Sequence, residues 1–553
     1  MIQSIDPAVC TGCGTCTKTC PLDVFRLDTD QETRSPCMAA CPAGADIRAS
    51  NYLIQQGRLD EAAEKYLEVQ PFPAITGRVC FHPCESACSR AKVDAPVNIN
   101  AIEQILGDRS LDFPAEEPVR RHIGRVAVVG SGPAGLSCAY FLARMGYPVT
   151  VYESMPNPGG MLRYGIPAYR LPDAVVERQV ERLERMGVVF RCGTRVGEGG
   201  DVTLSELKRR GFRAVMLAPG CSAARRMAIE GGDADGVHWG LDFLKACRGD
   251  QQPVLEGAVV VVGGGDVAVD AAITARRLGA SSVSIVCLES RAEMPAYPHN
   301  QQDAEDEGIT IRCGYGPSRV TVGNGRVSGI EFSACTSLRD EQGRFAPVFD
   351  ESETLVLPAE HVIFAIGQAA ELEGFARDVQ VEAGRIAVEP VTFASSRWGV
   401  FAAGDAATGP SSVVSAIAGG RECAFSIDRM LKGADLTGER TRVRETVPED
   451  RLPGEGITEE PRHERGRAAL TPQAPFAEKL LPLDLEACFA EALRCMTCGS
   501  RSRITYTDDC MTCFSCELHC PSGAIFVHPF KERFARTLDQ IEPAGEQGAR
   551  ISE

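Results

Sequence analysis

The sequence predicts an α/β protein, and three observations favour this fold class. Two apolar strand patterns, at 125–129 and 259–262, each lead into a glycine-rich turn and then into a helical pattern. A further apolar strand pattern follows each helix, which is the order of a βαβ unit. Cysteines are concentrated near the two ends of the chain, outside these units. We therefore expect an α/β core with a cysteine-rich segment on either side of it.

Composition excludes several classes of protein. The 553 residues suffice for three or four domains of about 150 residues each. The net charge of −17 argues against a general nucleic-acid binder, which needs a basic face. No apolar run reaches the roughly 18 residues of a membrane span. The start of the chain, with Asp6 and four early cysteines, lacks the apolar stretch of a secretory signal. We expect a cytoplasmic protein without a membrane span.

The 24 cysteines indicate metal binding, because clustered thiols in a reducing compartment more often bind metal than form disulfides. Nine cysteines stand alone, and we interpret them as small buried apolar residues. These nine are Cys138, Cys192, Cys221, Cys247, Cys287, Cys313, Cys335, Cys423 and Cys488. The other fifteen lie in spaced groups toward the two ends of the chain.

The spacing Cys-x2-Cys-x2-Cys-x3-Cys-Pro occurs twice, at residues 10–21 and 510–521. Three thiolates on such a loop reach three corners of a [4Fe–4S] cluster, and the fourth cysteine, which we expect to start a short helix, reaches a second cluster. Because one run leaves each cluster a ligand short, we infer that the two ends meet in a ferredoxin-like α+β module. Zinc, the alternative, prefers two separated cysteine pairs. The eight ligands are Cys10, Cys13, Cys16, Cys20, Cys510, Cys513, Cys516 and Cys520.

Both glycine-rich turns match the dinucleotide fingerprint, in which glycines allow a tight turn and a close approach of the backbone to a pyrophosphate. The helix N-terminus faces the phosphates, and an acid at the end of the second strand binds a ribose. Two such units indicate two dinucleotides, typically FAD and a nicotinamide cofactor. The first set of candidate residues is Gly130, Gly132, Pro133, Ala134, Gly135 and Glu153. The second set is Gly263, Gly265, Asp266, Val267, Ala268 and Glu289.

A second group of seven cysteines is one ligand short of two clusters. With flanking residues such as 72–80 and 494–499, these cysteines resemble the iron–sulfur domain of the glutamate synthase small subunit family, which dihydropyrimidine dehydrogenase shares. That family has them in one N-terminal stretch, so the resemblance also requires the ends of this chain to meet. It implies that Glu103, on the following helix, is the eighth ligand; the alternative is a solvated helix carboxylate. The cysteines are Cys37, Cys41, Cys80, Cys84, Cys88, Cys495 and Cys498.

Three other stretches resemble flavin-binding parts of the same family. Residues 158–167 resemble its flavin-covering loop, 364–367 the return from its nicotinamide domain, and 399–405 its second flavin motif. A helix predicted over about 412–430 would aim its positive N-terminal end at the flavin. The resemblance implies that the cofactor-binding residues include Gly160, Leu162, Gly367, Gly404 and Asp405.

The resemblance also bears on the choice of nicotinamide. The family generally has two arginines after the second strand of the nicotinamide domain, where they hold the 2′-phosphate. Alignment from Met294 places Leu288 and Glu289 at those positions. Because an acid accepts hydrogen bonds from a free ribose diol and repels a phosphate, the sequence predicts NAD(H). Arg291 is the nearest cation, and a solvated acid at Glu289 is the alternative.

These motifs predict two Rossmann-type dinucleotide-binding domains, the flavin domain being interrupted by the nicotinamide domain, together with a helical iron–sulfur domain and the ferredoxin-like module. The segment before the last cysteines is rich in charge, Pro and Gly, and we expect a linker that wraps back over the surface. The parts are 1–30 (N-terminal ferredoxin half), 31–120 (iron–sulfur domain), 121–236 and 367–435 (flavin domain), 237–366 (nicotinamide domain), 436–482 (linker) and 483–553 (last cysteine pair and C-terminal ferredoxin half).

The motifs together predict an NAD(P)H-dependent oxidoreductase with one FAD, NAD(H) and four [4Fe–4S] clusters. A nicotinamide gives two electrons, a cluster carries one, and flavin converts between the two. Hydride transfer between cofactors needs no protein acid or base, so we expect no catalytic side chain. We expect a partner that exchanges single electrons, either a ferredoxin or a catalytic subunit, with a 2-oxoacid:ferredoxin-type oxidoreductase as the leading candidate.

Two alternatives stay open. One is the NADPH-dependent glutamate synthase small subunit itself, although its pattern lacks the two ferredoxin runs. The other is a non-enzymatic electron-transfer or assembly subunit, which the intact glycines and both acids oppose. A flavin disulfide reductase is discounted because no Cys-x-x-Cys lies between Cys138 and Cys423. A complete dihydropyrimidine dehydrogenase is excluded because no stretch remains for a second flavin barrel.

Overall fold

The computed structural model of the chain describes residues 1–22, 24–114, 124–249, 252–438, 440, 445–454, 456–469, 471 and 474–528. The predicted boundary at residue 120, parts of the predicted linker and residues 529–553 of the predicted C-terminal half lie outside these ranges. Within them, none of the helices is both long and apolar enough to cross a bilayer.

The two ends of the chain form one small module. Strand Ile2–Ile5 pairs antiparallel with Ile525–Val527, and strand Phe25–Asp28 pairs antiparallel with Arg501–Ile504. Each pairing joins an N-terminal strand to a C-terminal one, so neither half is complete without the other. The two short helices of the module are Thr15–Thr19 and Ser515–Leu518.

The expectation that the fourth cysteine of each run starts a helix is wrong, because both short helices end before it. The backbone of Cys20 is extended, with φ −77° and ψ 116°. A residue that precedes proline is disfavoured in the helical region, since its backbone clashes with the proline ring. Cys41, which precedes Pro42, has nearly the same conformation (φ −76°, ψ 118°) after its own helix. The Cys-Pro unit therefore turns the chain out of the helix just where the thiol is placed.

The iron–sulfur region is helical, and two of its helices cross at glycines. A Cβ on Gly107 would lie 2.1 Å from the Ala74 nitrogen, and one on Gly77 would lie 2.4 Å from the Gln104 Cα. Only glycine permits this approach, which brings the residues around 76 and 103 together. The helices are Pro36–Ala40, Ile47–Gln55, Leu59–Leu67, Pro73–Val79, Pro83–Ser86, Ile99–Ser110 and Leu485–Leu493.

A parallel sheet carries the first glycine-rich turn at the carboxyl end of its central strand. Chain order reverses there, and such a switch point is where open α/β sheets bind ligands. Across the sheet the strands are Val400–Ala402, Phe212–Leu217, Arg125–Val129, Val149–Tyr152 and Val189–Arg191. The helices of this region are Pro133–Arg144, Met161–Tyr164, Asp173–Arg185, Leu204–Arg209, Asp405–Thr408 and Val413–Leu431.

A second parallel sheet carries the second turn, again on its central strand. Two short strands, Ala223–Ala224 and Gln368–Ala369, pair antiparallel where the chain leaves for this sheet and returns from it. Across the sheet the strands are Thr310–Cys313, Ser282–Cys287, Ala258–Val262, His361–Phe364 and Val237–Trp239. Its helices are Gly240–Cys247, Asp266–Arg277 and Pro298–Asp306.

Three longer strands form an antiparallel sheet on the nicotinamide side of the molecule. They are Tyr315–Gly323, Arg326–Arg339 and Phe345–Pro358, paired in chain order. A small two-stranded ribbon, Val381–Glu382 with Arg385–Ile386, lies within the returning part of the flavin region.

The described residues of the predicted linker pack closely on two regions. Arg465 donates to the Asn100 and Gln104 side chains of the iron–sulfur region. Lys479 forms ion pairs with Asp303 and Glu307 of the nicotinamide region. This part of the chain therefore contacts both regions through buried and half-buried charges.

Candidate cofactor sites

Each ferredoxin-type loop supplies three cysteines to one cavity and the fourth to its neighbour. The first cavity is lined by three cysteines of the first loop and one of the second: Cys10, Cys13, Cys16 and Cys520. We call this quartet 1. The second cavity is lined by the converse set: Cys20, Cys510, Cys513 and Cys516. We call this quartet 2. The exchange of ligands is the one expected from the cysteine spacing.

The remaining cysteines divide into two further groups. A third cavity, which we call quartet 3, is lined by Cys37, Cys88, Cys495 and Cys498. The remaining three cysteines lie close enough to one carboxylate for its charge to act on each thiol. We call this set quartet 4: Cys41, Cys80, Cys84 and Glu103. Burial is the main cause of the raised pKa of these three thiols, and the neighbouring Glu103 carboxylate raises the pKa of each further.

The quartets fit iron–sulfur clusters better than single ions. Among the described residues, no three His, Cys, Asp or Glu side chains converge as a single metal ion requires. Three of the quartets instead surround cavities, as the eight atoms of a [4Fe–4S] cube require. The Thr11 hydroxyl lines the cavity of quartet 1, is buried, and has no hydrogen-bond partner in the described protein. It is placed to donate to a cluster sulfur.

Burial dominates the electrostatics of the cysteines. It raises the pKa of Cys16 and of Cys498 to about 12, and neighbouring cysteines of the same quartet add to both shifts. It raises the pKa of Cys516 to about 11. These thiols keep their protons in the bare protein near neutral pH, so cluster binding must release protons.

Glu103 is held in place by two hydrogen bonds. Its Oε1 accepts from the Thr76 hydroxyl at 2.6 Å and from the Gln70 amide at 3.0 Å. Both bonds are to Oε1, so Oε2 can serve as a metal ligand. The residue is buried, and burial raises its pKa to about 7. The helix crossing at Gly77 and Gly107 is what brings Thr76 and Glu103 together.

A large cavity of about 610 Å³ opens at the carboxyl end of the flavin-side sheet. This is within the range of cofactor and ligand sites, about 300–1,000 Å³. Of the residues predicted to bind flavin, those that line it are Gly130, Gly132, Pro133, Ala134, Glu153, Gly160, Gly404 and Asp405. Leu162 is instead fully buried in the core, and Gly135 packs beneath the turn.

The glycines of the first turn have separate steric roles. A Cβ on Gly130 would lie 2.2 Å from the Ala218 carbonyl oxygen, and one on Gly135 would lie 2.0 Å from the Gly130 carbonyl oxygen. A Cβ on Gly132 would meet nothing within 4 Å. Gly130 and Gly135 therefore permit close packing, and Gly132 leaves open the space that a pyrophosphate needs.

Two of the acids that line the cavity, Glu153 and Asp405, are oriented by backbone groups. Glu153 accepts from the Ser131 N–H at 3.0 Å and the Met155 N–H at 2.8 Å. Asp405 accepts from the Ser411 N–H at 3.1 Å, and burial raises its pKa. Ser412, which caps the helix Val413–Leu431, also lines the cavity, so the positive end of that helix faces the space for the cofactor.

The second turn has the same steric pattern. A Cβ on Gly263 would lie 2.3 Å from the Ala365 carbonyl oxygen, and one on Gly265 would meet nothing within 4 Å. Glu289 lies against this turn, because a Cβ on Gly264 would come within 2.8 Å of its Oε2. Ala268 is buried, Val267 lines the large cavity, and Gly367 has a positive φ of 116° beside it.

Asp266 has a role that the sequence did not indicate. Its carboxylate accepts from the Tyr297 N–H at 3.1 Å and from the Asn300 amide at 2.7 Å, so it anchors the loop that follows Met294. Sequence reasoning also missed lining residues on three other loops at the same edge of the flavin-side sheet: Thr194–Val196, Ala218–Ser222 and Gly374–Phe375. The loops at 194–196 and 218–222 follow parallel strands of this sheet, and that position was the available signal. The segment Gly374–Phe375 follows the short antiparallel strand Gln368–Ala369 and carried no such signal.

Comparison with known proteins decides the family. Residues 124–420 match the pyridine nucleotide-disulphide oxidoreductase family. The chain belongs to this family. Residues 31–113 match the family described as dihydropyrimidine dehydrogenase domain II, 4Fe–4S cluster, and residues 4–26 match a 4Fe–4S binding domain. The expected FAD- and NAD(P)-binding fold, the oxidoreductase class and the presence of 4Fe–4S domains are thereby confirmed.

Relatives of this oxidoreductase include subunits of three different enzymes. The chain is 38% identical over 430 residues to the beta subunit of an NADP(+)-dependent formate dehydrogenase of Moorella thermoacetica, covering 72% of this chain and 60% of that one. It is 34% identical over 410 residues to the NAD-dependent dihydropyrimidine dehydrogenase subunit PreT of Escherichia coli K12 (72% and 92%). It is 36% identical over 428 residues to the glutamate synthase [NADPH] small chain of Mycobacterium tuberculosis (72% and 86%). The resemblance to glutamate synthase small subunits is confirmed.

Proposed function

We propose that this oxidoreductase moves electrons between NAD(H), one FAD and four [4Fe–4S] clusters, and exchanges them singly with a partner protein. The observation that carries the proposal is the grouping of fifteen cysteines and Glu103 into four sets of four. Three of these sets combine residues from both ends of the chain. Four sets of four candidate ligands in one chain with a dinucleotide cavity are an arrangement suited to carrying electrons.

Contacts within the chain support a linear order of the quartets. Quartets 2 and 1 share the first loop, where the Cys20 N–H donates to the Cys16 carbonyl. Quartets 1 and 3 meet where the Thr497 hydroxyl donates to the Gly12 carbonyl at 2.7 Å. Quartets 3 and 4 share one helical turn, in which the Cys41 N–H donates to the Cys37 carbonyl.

Residues that flank quartet 4 contact the helix that begins at the dinucleotide cavity. Arg421, on the helix whose N-terminus lines that cavity, donates to the Ala43 carbonyl at 2.6 Å and to the Val69 carbonyl at 2.9 Å. The order is therefore flavin cavity, quartet 4, quartet 3, quartet 1 and quartet 2. The first and last positions in this order are where electrons enter and leave.

The protein's own part in this function is positioning. When bound, FAD supplies the exchange between two-electron nicotinamide chemistry and one-electron cluster chemistry. Gly132 leaves space for the dinucleotide, Ser412 begins a helix whose positive end faces that space, and the quartets would hold the clusters. We propose a cytoplasmic catalytic subunit or ferredoxin as partner, a 2-oxoacid:ferredoxin-type oxidoreductase being the leading candidate. In the alternative of a glutamate synthase small chain, quartets 1 and 2 have no assigned part.

An anaerobic titration tests this function. NADH added to the intact chain should bleach the flavin absorbance and then the broad cluster absorbance, because the quartets continue from the flavin cavity. Bleaching of the flavin alone would contradict electron transfer into the quartets. Failure of NADH and NADPH to bleach either would support the non-enzymatic alternative.

The position of Glu289 against the second turn supports NAD(H) as the nicotinamide. The relatives leave this open, since the formate dehydrogenase subunit is named NADP(+)-dependent and PreT NAD-dependent. We expect kcat/KM to favour NADH about tenfold, or about 1.4 kcal/mol. Glu289→Arg should reduce this preference for NADH. Glu293 is an exposed acid of the same loop, and Glu293→Arg should leave the preference unchanged. Wild-type kcat/KM for NADPH equal to or above that for NADH would contradict the assignment.

The place of Glu103 among three cysteines supports its assignment as a ligand. Glu103→Ala should remove or alter one cluster in the electron paramagnetic resonance spectrum while flavin content stays unchanged. Glu68→Ala, at the end of a helix in the same region and exposed, is the matched control. An unchanged spectrum for every cluster in Glu103→Ala would make Glu103 an ordinary buried acid.

A further inference from the structure

Quartet 2 reaches the protein surface. All sixteen candidate ligands lie in the described part of the chain, and among them Cys513 is the one classed as exposed. Met511 is 58% exposed and Leu22 is 41% exposed, and both line the same cavity as Cys513. These three residues form what we call the outer face of quartet 2. A ligand cysteine and two large apolar side chains thus share one solvent-facing patch.

This face is at the end of the order of quartets. Quartet 1, the neighbour of quartet 2, is covered on its inner side, where a Cβ on Gly12 would lie 1.9 Å from the Ser500 carbonyl oxygen. Electrons that enter at the flavin cavity therefore reach solvent-facing protein at quartet 2. An exposed ligand at that position indicates that the redox partner, rather than another part of the described chain, covers it.

Charge defines the chemistry of the occupant. The described residues that line the cavity of quartet 2 include no Lys or Arg side chain. The turn Thr507–Asp509 leads directly into Cys510, and its Asp509 is exposed. The chain as a whole carries a net charge of −17. An apolar patch beside acids in an acidic protein is complementary to a partner with an apolar centre and a basic rim.

We infer that the outer face of quartet 2 docks a one-electron redox protein whose cofactor edge is apolar and ringed by basic residues. This inference rests on the proposed function, since it assigns the point at which single electrons leave the chain. The overall step balances as NADH plus two oxidised one-electron acceptors giving NAD⁺, one proton and two reduced acceptors. Attraction between the acids and the basic rim speeds encounter, and salt screens it.

The test uses cytochrome c, a basic one-electron haem protein, as the probe, and ferricyanide as a small acceptor. For each variant of the full chain, the rate of cytochrome c reduction by NADH at low salt is divided by the rate of ferricyanide reduction. Asp509→Lys and Met511→Lys should each lower this ratio about tenfold. Glu351→Lys and Phe345→Lys, matched exposed changes on strand Phe345–Pro358, should leave it unchanged. An equal decrease of the ratio in the test variants and in the control variants would overturn the inference.

A binding readout accompanies the rates. A carbodiimide couples carboxylates directly to lysine amines, so cross-linking to cytochrome c followed by peptide mapping should locate the link at residues 508–509. Links confined to other carboxylates would overturn the inference. Iron and flavin contents of the same samples separate the two proposals, because a wild-type chain without clusters or ferricyanide activity would refute the proposed function itself.

The competing occupant is the chain's own segment 529–553. A chain that ends at His528 distinguishes the two. If the partner occupies the face, the truncated chain should give the same ratio of cytochrome c to ferricyanide reduction as the full chain, and Met511→Lys should lower it in both. A ratio several-fold higher after truncation would show that residues 529–553 cover the face and would overturn the inference.

Discussion

The two cysteine loops have the same spacing and the same backbone shape but different residues. Gly12 and Gly14 of the first loop have φ values of 68° and 75°, while Thr512 and Phe514 at the matching positions both have φ of 60°. The first loop has glycine at both positions, and glycine adopts a positive φ at little steric cost. The second holds two side chains in the left-handed region, at a cost of about 1–2 kcal/mol each.

The difference follows from what covers each loop. The Ser500 carbonyl approaches Gly12 so closely that no side chain fits there. In the second loop the matching positions carry the side chains of Thr512 and Phe514, and Met511 and Cys513 are exposed among the described residues. The same loop backbone is therefore packed against other parts of the protein in the first copy and exposed to solvent in the second. Ligation of a cluster by the second loop would fix this backbone and offset its strain.

The largest expected effect is on iron content and electron transfer. It should follow the removal of a cysteine that belongs to one loop but lines the cavity of the other loop's quartet. Cys520 belongs to the second loop but lines the cavity of quartet 1. Cys520→Ser should lower iron content by about one quarter and abolish reduction of cytochrome c, since quartet 1 connects quartet 2 to the rest. The measurement is iron and flavin analysis with the reductase assay.

Cys488→Ser is the control for that loss. Cys488 is fully buried in the helix Leu485–Leu493 and belongs to none of the four quartets. It should keep the full iron content. An unchanged iron content in Cys520→Ser, or equal losses in both variants, would show that the loops do not exchange ligands.

Substitution by alanine at matching positions of the two loops should give the second-largest difference, measured as a change in stability. Gly12→Ala adds a Cβ that would lie 1.9 Å from the Ser500 carbonyl oxygen, in addition to the cost of positive φ. We expect a loss of about 3 kcal/mol, seen as a lower temperature for loss of cluster absorbance. Thr512→Ala, the matched position, should change stability by about 0.5 kcal/mol or less. Equal changes in stability in the two variants would contradict the conclusion that the first loop is more closely packed than the second.

Relieving the backbone strain of the second loop should change stability, and this is the smallest of the expected effects. Thr512→Gly removes a β-branched side chain from the left-handed region and should stabilise the module by about 1 kcal/mol. The same thermal measurement checks it. Thr507→Gly, in the neighbouring 3-10 turn where φ is helical, should be neutral or destabilising. Destabilisation by Thr512→Gly would mean that Thr512 makes contacts worth more than its strain.

Sequence reasoning reached furthest where the residues of a candidate site are local in the chain. The glycines of both turns and the exchange of Cys20 and Cys520 follow from spacing within short segments. It could not divide the other cysteines, because Cys37 and Cys41 share one helical turn yet lie in different quartets. That division depends on the helix crossing at Gly77, a long-range contact that spacing does not encode.

The predicted linker shows the same limit. Its charge and its Pro and Gly content predicted a linker that wraps back over the surface, without indicating which charges make contacts. The structure uses those charges as contacts, as when Arg462 donates to the buried Glu85 at 2.9 Å. Composition alone does not distinguish a charge that faces water from one that meets a partner 377 residues away.

The ratio of iron to flavin in anaerobically prepared protein tests the central claim most directly. Four quartets and one dinucleotide cavity of the flavin type predict about 16 iron atoms per FAD. A ratio of about 8 would contradict the account, because it would mean that the two ends of the chain do not combine into quartets 1 and 2.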